Sequence, residues 1–506
     1  MAALPSRRHP GQRLPRRTHR AAGRRPHRRD QQRGAGPLLR LRLHPCRNHG
    51  ALPRLAPPPH DRPRPDPPPR RHYLAPCPAT PAPVPRKHRQ HVSIEFPPSA
   101  APRSAHPLDT LPTRVRERLL ELASTGGEPL AAYVYDGEVA AGRARELRDA
   151  LPEWAEVYYA VKANAYPGVL AALAPHVDGF EVASRSELAL ALDALPTREA
   201  GPAPIVAAGP AKSLPVLTDL VRADVAAVNA ESLLELHRIS AIATAEGVTA
   251  RVALRVNPAE IPVTGSLHMG GQPSQFGVAE PDVPEVLRAA RALPGLDLVG
   301  FHIHAASNNL DADSQAAYLR WCVEWSTATA VEHGIDLRQI DIGGGIGVNF
   351  EGEEPFDTKR FGELIAQCPP PGGVRVVLEP GRFLVADCGW YAAEVTDVKT
   401  SYGHAYVMLR GGINHFQLPT SWDIVHNIAV LPVPHWPADL PRPEASDTRL
   451  TVVGELCTPE DTLLRDIHVD RVRAGDLVVF PYAGSYGWEF AMPHFLGHPP
   501  AARHML

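Results

Sequence analysis

Beyond about residue 108, apolar and polar positions recur with two different periods. Eight short runs are dense in β-branched and other apolar residues. They are 157–164 (VYYAVKAN), 179–184 (GFEVAS), 204–209 (PIVAAG), 225–230 (VAAVNA), 251–257 (RVALRVN), 298–307 (LVGFHIHAAS), 338–345 (RQIDIGGG) and 375–382 (RVVLEPGR). Between most of them lie stretches such as SELALALDAL, ESLLELHRISAIATAEG and QAAYLRWCVEWSTATAVEHG. Their apolar residues return every three or four positions, as in a helix that covers a sheet. Strands alternating with helices in this way predict an α/β fold with a (β/α)₈ barrel. After Asp387 the runs AAEVTDV, AYVMLRGG, RLTVVGEL and DLVVFPY follow without helices of similar length, which predicts a separate β domain, a sandwich or small barrel. The run 131–139 (AAYVYDGEV) could add one strand to it. The expected domains are a tail over 1–107, a barrel over 108–395 and a β domain over 396–506.

Composition changes this picture at one end only. The chain has 506 residues, 44% hydrophobic and 21% charged, with a formal net charge of −2, enough for two domains and a large core. Residues 1–93 hold only three acids, Asp30, Asp61 and Asp66, amid Arg, Pro and His. Such a segment buries too little apolar surface to offset its ordering entropy, so it is expected to be disordered. A basic arm for nucleic acid or an Arg-rich transit peptide are its two functional readings. The plainer reading, which we favour, is GC-rich noncoding sequence read in frame. Neither nucleic acid nor membrane is therefore expected as a partner. The six cysteines lie far apart with no CxxC pair, as in a protein of the reducing cytoplasm.

Candidate chemistry gathers at one place. Catalytic groups of such barrels stand at the C-terminal ends of the strands. The ends of the eight runs carry Lys162 and Asn164, Glu181 and Ser184, Arg255 and Asn257, His302, His304 and Ser307, the glycines Gly343, Gly344 and Gly345, and Glu379 and Arg382. Three glycines after a strand free backbone N–H groups to approach a phosphate. Arg382 would add charge-assisted hydrogen bonds to it. Lys162 follows an apolar strand, where desolvation would lower its pKa and sharpen it as a nucleophile. Glu379 could hold a pyridinium nitrogen protonated, the pairing that makes pyridoxal phosphate an electron sink. Each feature alone has a plainer reading, as a solvated rim lysine or a tight turn. Of His302 and His304, one is expected to face the rim and the other the helical layer or solvent. No third ligand stands at metal spacing from them, and no metal is expected.

With those residues in place, the chain from 108 to 506 resembles the fold-type III pyridoxal-phosphate decarboxylases, the ornithine/diaminopimelate decarboxylase family, with an alanine-racemase-like barrel. YAVKAN resembles the family's cofactor-lysine motif, GFHIHAAS its HxHxGS motif, DIGGG its glycine loop and EPGR its ring-nitrogen and phosphate motif. GELCTPEDTL and AGSYG resemble its GxxCxxxD and GAY segments. The resemblance implies that Lys162 carries the cofactor, His304 stacks on its ring and Glu379 pairs with the ring nitrogen. Ser307, Gly343, Gly344, Gly345, Arg382 and Tyr486 would bind phosphate, with Arg255 and Glu181 at the cofactor's edge. Cys457 would act in the partner subunit's site as the acid that returns a proton, with Asp461 near the substrate. The implied assembly is a head-to-tail homodimer with shared sites.

The sequence also departs from the family's pattern. Ala306 replaces a glycine where the backbone nears the phosphate, and CTPED replaces the CESGD and CDGxD forms, which implies a different distal group on the substrate. NHFQLPTSW, HAASNNLD, CTPED and PHFLGHP most resemble the siderophore-biosynthesis branch, of staphyloferrin B type, whose members decarboxylate a citryl-diaminopropionate conjugate. Arg410, His415 and His426 are candidates to meet so acidic a substrate. A diaminopimelate- or ornithine-type decarboxylase is the first alternative and an amino-acid racemase the second. A non-catalytic relative would have lost Lys162 or Cys457, and both are present.

Overall fold

The computed structural model describes residues 103–506 except 126, 197–200, 262–266, 269–272, 351–353, 420–421, 423, 425 and 438. The expected disorder of residues 1–102 lies outside the described residues. Sixteen of the strands are labelled here in chain order. They are β1 (Ala131–Tyr135), β2 (Ala155–Ala160), β3 (Gly179–Val182), β4 (Ala203–Ala207), β5 (Val225–Ala230), β6 (Ala250–Asn257), β7 (Leu296–Ile303) and β8 (Gln339–Asp341). Then come β9 (Arg375–Leu378), β10 (Gly389–Ser401), β11 (His404–Leu409), β12 (Ala429–Leu431), β13 (Glu444–Val453), β14 (Thr462–Arg473), β15 (Leu477–Phe480) and β16 (Ala502–Met505).

Strands β2 to β9 pair in parallel, each with its neighbours, and β6 pairs with β7. β9 returns to β2, with Val377 opposite Glu156, so the sheet closes as an eight-stranded barrel. Its eight strands fall within or beside the eight apolar runs. The interior is plugged by Tyr158, Val206, Ala227, Ala253, Val299 and Val377. Outside, helices such as Leu233–Glu246 and Ala312–His333 press their apolar faces on the strands. Each of these two starts at a side-chain cap, Ser232 or Asp311, that accepts the first free amides, and each ends at a left-handed glycine.

The second sheet runs β14–β13–β11–β10–β15–β12, with β1 on β10 and β16 on β1. Residues 103–107 and the helix Thr113–Thr125 were expected in the tail and the barrel. They belong with this sheet instead. Arg103–Ser104 pairs in parallel with β14, and the Ala105 and His106 amides donate to His468 O at 2.8 Å and Ile428 O at 2.7 Å. Leu111, Val115 and Leu119 pack under Val134, Trp390 and Val479. β1 stops at Tyr135, because Asp136 caps the next helix by accepting from the Glu138 and Val139 amides. β10 crosses the expected 395/396 boundary unbroken, apart from a register shift between Val395 and Asp397. β14 was not among the expected strands, although its Asp-Ile-His-Val-Asp core alternates as a half-buried strand does. Among the described residues no helix is long and apolar enough to cross a membrane.

Candidate active site

The C-terminal ends of the barrel strands bring the predicted polar residues together. β2 ends at Ala160, and Lys162 stands in the single helical turn Val161–Ala163 rather than on the strand. That turn is tied to the second sheet, since Asn164 Nδ2 donates to Gly484 O at 2.8 Å and the Tyr486 amide to Ala163 O at 2.7 Å. The Lys162 ammonium pairs with the fully buried Glu181 of β3. Burial opposes its charge, but Glu181 and Glu379 outweigh burial and hold its pKa above the ordinary lysine range. This corrects the expectation of a lowered pKa, since the sequence pattern disclosed the apolar strand but not the two carboxylates.

Arg255 on β6 is buried and donates to Glu231 at 2.9 Å, and its guanidinium lies 4.8 Å from the Phe276 ring. Glu231 also accepts from the Gly277 amide at 3.0 Å. Glu231 thus fixes Arg255, although in letter order it is only an acid one residue after β5. His302 and His304 both face inward. Positions two apart share a side of a strand, which corrects the expectation that they diverge. His302 lies 3.8 Å from Glu379. Burial, Arg255 and Lys162 depress both imidazoles, His304 to about 3, so both are neutral bases.

β8 runs into the glycine loop. Gly343 adopts a left-handed φ of 66°, and a Cβ there would stand 2.7 Å from His304 Cβ, so the loop closes against that imidazole only with glycine. Of the three amides expected at a phosphate, that of Gly343 is already taken by Asp341 at 2.9 Å. The loop is clamped from the segment after β7. The Asn309 amide donates to Gly345 O at 2.8 Å, and Gln315 Nε2 reaches Gly344 O at 3.4 Å. Ser307 is half-buried in a two-residue strand that pairs with Leu267–His268.

Glu379 follows β9 directly and is 4% exposed. Burial, then Asp341 and Glu181, push its carboxyl well above the usual carboxylate range. Arg382 is 5% exposed, and its Nε and Nη1 have no hydrogen-bond partner among the described residues. Its guanidinium lies 4.6 Å from the Trp422 ring and 4.9 Å from Tyr486. Trp422 is the last letter of NHFQLPTSW, a segment that resembles the siderophore branch but carries no sign of a place beside Arg382. Asp341 escaped notice as the first letter of DIGGG.

Of the candidates on the second sheet, His426 packs against Phe350, the ring beside Arg382, and the others lie around the turn that follows β13. Cys457 is exposed on the turn between β13 and β14. Asp461 ends that turn, 2% exposed, and accepts from the Ile413 and Leu456 amides at 2.8 Å each. Its carboxylate therefore ties the turn to the segment after β11. Arg410 is paired with Glu455. His415 is buried, 2.9 Å from Pro499 O, and His426 is buried, 3.1 Å from Pro481 O. Burial lowers the pKa of both rings, and the charge of Arg382 adds to this at His426, whose buried Nε2 has no hydrogen-bond partner among the described residues.

A parallel barrel whose rim carries a lysine, a buried acid, a glycine loop and an unpaired guanidinium defines a class of barrel enzyme that holds a phosphorylated cofactor. Comparison with known proteins makes it specific. The model of the pyridoxal-dependent decarboxylases, pyridoxal binding domain, matches residues 139–386. A 2-[(L-alanin-3-ylcarbamoyl)methyl]-2-hydroxybutanedioate decarboxylase of Staphylococcus aureus is 36% identical over 391 residues, 76% of this chain and 96% of that one. An L-glutamyl-[BtrI acyl-carrier protein] decarboxylase of Niallia circulans is 32% identical, covering 72% and 86%. Among solved structures, a diaminopimelate decarboxylase mutant of Helicobacter pylori, complexed with L-lysine, has a TM-score of 0.66 at 28% identity, covering 76% and 93%. The chain belongs to the pyridoxal-dependent decarboxylases.

The residues present fit that cofactor. Arg382 is a buried cation without a counter-ion among the described residues, suited to a phosphate. Glu379 Oε1 and both ring nitrogens of His302 are buried and without hydrogen-bond partners there. Buried polar atoms are rarely left so, and a polar ligand supplies what they lack.

Proposed function

We propose that this pyridoxal-phosphate decarboxylase removes the α-carboxylate of an amino-acid conjugate with an acidic tail, of the kind named for the S. aureus relative. The match that carries this reading spans 96% of that relative at 36% identity. The segments NHFQLPTSW and CTPED, which set the sequence apart from diaminopimelate decarboxylases, support it. That compound name describes an α-amino acid joined through an amide to a hydroxy-diacid.

When bound, the cofactor would supply an electron sink for the pair left behind as CO₂ departs. The chain's residues do the rest. Lys162 is the amine that would hold the cofactor's aldehyde carbon and later be displaced by the substrate's amine. Arg382, Gly344, Gly345, Ser307 and Tyr486 would grip the phosphate, while His304 would lie on the ring's face. Glu379 would keep a proton at the ring nitrogen. Glu181, partnered with Lys162, and Arg255, fixed by Glu231, would border the cofactor. Cys457 Sγ would give its proton to the α-carbon that has lost carboxylate. It is exposed on a preorganised turn, which suits a thiol that serves the partner subunit of a head-to-tail homodimer. The free thiols Cys322, Cys368, Cys388 and Cys457 suit a cytoplasmic enzyme.

The test is CO₂ release from the citryl conjugate, diaminopimelate and ornithine, each offered to reconstituted enzyme. Turnover of the conjugate with kcat/KM at least tenfold above the others is expected. Preference for diaminopimelate or ornithine would keep the family and refute this substrate.

A further inference from the structure

Behind Glu379 lies a second buried carboxyl. Asp341 closes β8 and is fully buried. One of its oxygens accepts from the Gly343 amide at 2.9 Å and the other from Asn229 Nδ2 at 3.0 Å. Ligand atoms of His302, Asp341 and Glu379 all lie within 4.8 Å of one another. Two buried carboxyls this close disfavour double ionisation, so the pair keeps one proton.

We propose that Asp341 is a positioning residue for the cofactor's ring nitrogen. It shares a proton with Glu379 and so sets how firmly Glu379 holds the proton of that nitrogen, while its bond to Gly343 ties this setting to the glycine loop. The inference rests on the reading of Glu379 as the nitrogen's partner.

The surroundings decide which acid keeps the proton. Two amide donors fix Asp341 as the ionised member, so Glu379 carries the proton in the cofactor-free protein. Among the described residues, the other charged or titratable groups around the pair include Glu181 and Lys162 from other strand ends, His302 from β7, Arg255 from β6, and Tyr318 and Cys322 from the helix Ala312–His333. Lys212 is linked through the backbone carbonyl of Asn229 at 2.9 Å, and its own charge is paired with Glu235 at 2.6 Å. With a ring nitrogen against Glu379, the anion of Asp341 stands behind the pair, and removing it makes the nitrogen's proton easier to lose.

The experiment loads wild-type protein, Asp341→Asn, Glu379→Gln and Asn229→Ala with pyridoxal phosphate labelled with ¹⁵N in the ring. The ¹⁵N shift of the bound cofactor is followed against pH. In Asp341→Asn the midpoint is expected at least one pH unit below wild type, a tenfold change, and in Glu379→Gln lower still. In Asn229→Ala it is expected to rise, because Asp341 loses a donor and becomes more basic. A packing defect alone would move Asp341→Asn and Asn229→Ala the same way, and that result would overturn the proposal. A wild-type midpoint in Asp341→Asn beside a lowered one in Glu379→Gln would refute the role of Asp341 and leave that of Glu379 standing. A wild-type midpoint in Glu379→Gln would overturn both. Should Asp341→Asn not fold, Asn229→Ala decides alone, an upward shift supporting the role and an unchanged midpoint refuting it.

Discussion

The rim of the barrel and the turn that carries Cys457 solve opposite problems. At the rim, Arg382, His302 and Glu379 are buried with polar atoms that find no partner among the described residues. At the turn, Asp461 accepts two backbone amides and Arg410 is neutralised by Glu455, while the thiol itself stands exposed. Under the proposed function the rim is the part that takes the cofactor, and the turn is the part that must be brought to its target.

The sharpest way to break this contrast is to remove the lysine. Lys162→Ala should abolish the cofactor absorption band and lower activity by at least about 10³-fold, since the amine that holds the cofactor is gone. Cys457→Ala should leave the band intact yet lower kcat about 10²–10³-fold, as loss of a general acid does. Mixing the two inactive variants should restore activity if the sites are shared between subunits, and mixtures that stay inactive would refute the shared dimer. Arg382→Ala should weaken cofactor binding by about 2 kcal/mol, roughly 30-fold, the worth of a charge-assisted pair. Fluorescence titration with the cofactor reads that loss.

The smallest expected effect is one of pH on the cofactor-free protein. Burial raises Asp341 to about 6 from an ordinary 3.8. A carboxyl raised on folding favours the folded state below its unfolded pKa, and that contribution is lost as pH rises through its folded pKa. Wild-type stability relative to Asp341→Asn should therefore decline between pH 3.8 and about 6 and level off above it. Paired urea melts across that range would reveal the decline. A flat difference would mean that Asp341 is not buried as a shared acid.

Much of the rim was legible in the sequence because short apolar strands end in polar letters. The barrel followed from the alternation of two periods, and Lys162, Glu181, Arg255, Glu379 and Arg382 followed from strand ends. What escaped depended on contacts between distant segments. The raised pKa of Lys162 needs Glu181 and Glu379, which come from two other strands. Glu231 and Asn229 matter only because β5 lies beside β6 and across from Asp341. Trp422 meets Arg382 from a loop of no periodicity. The Cys457 turn was legible as a motif, but the inward use of Asp461 was not, since burial of a carboxylate by two amides leaves no trace in letter order.

The most direct test of the account traps the cofactor on the protein. Reconstituted enzyme would be reduced with borohydride, digested and mapped by peptide mass spectrometry. The cofactor's mass is expected on the peptide containing Lys162 and on no other. Its appearance on another lysine, or its absence from a protein that has bound pyridoxal phosphate, would contradict the assignment of the barrel rim as the active site.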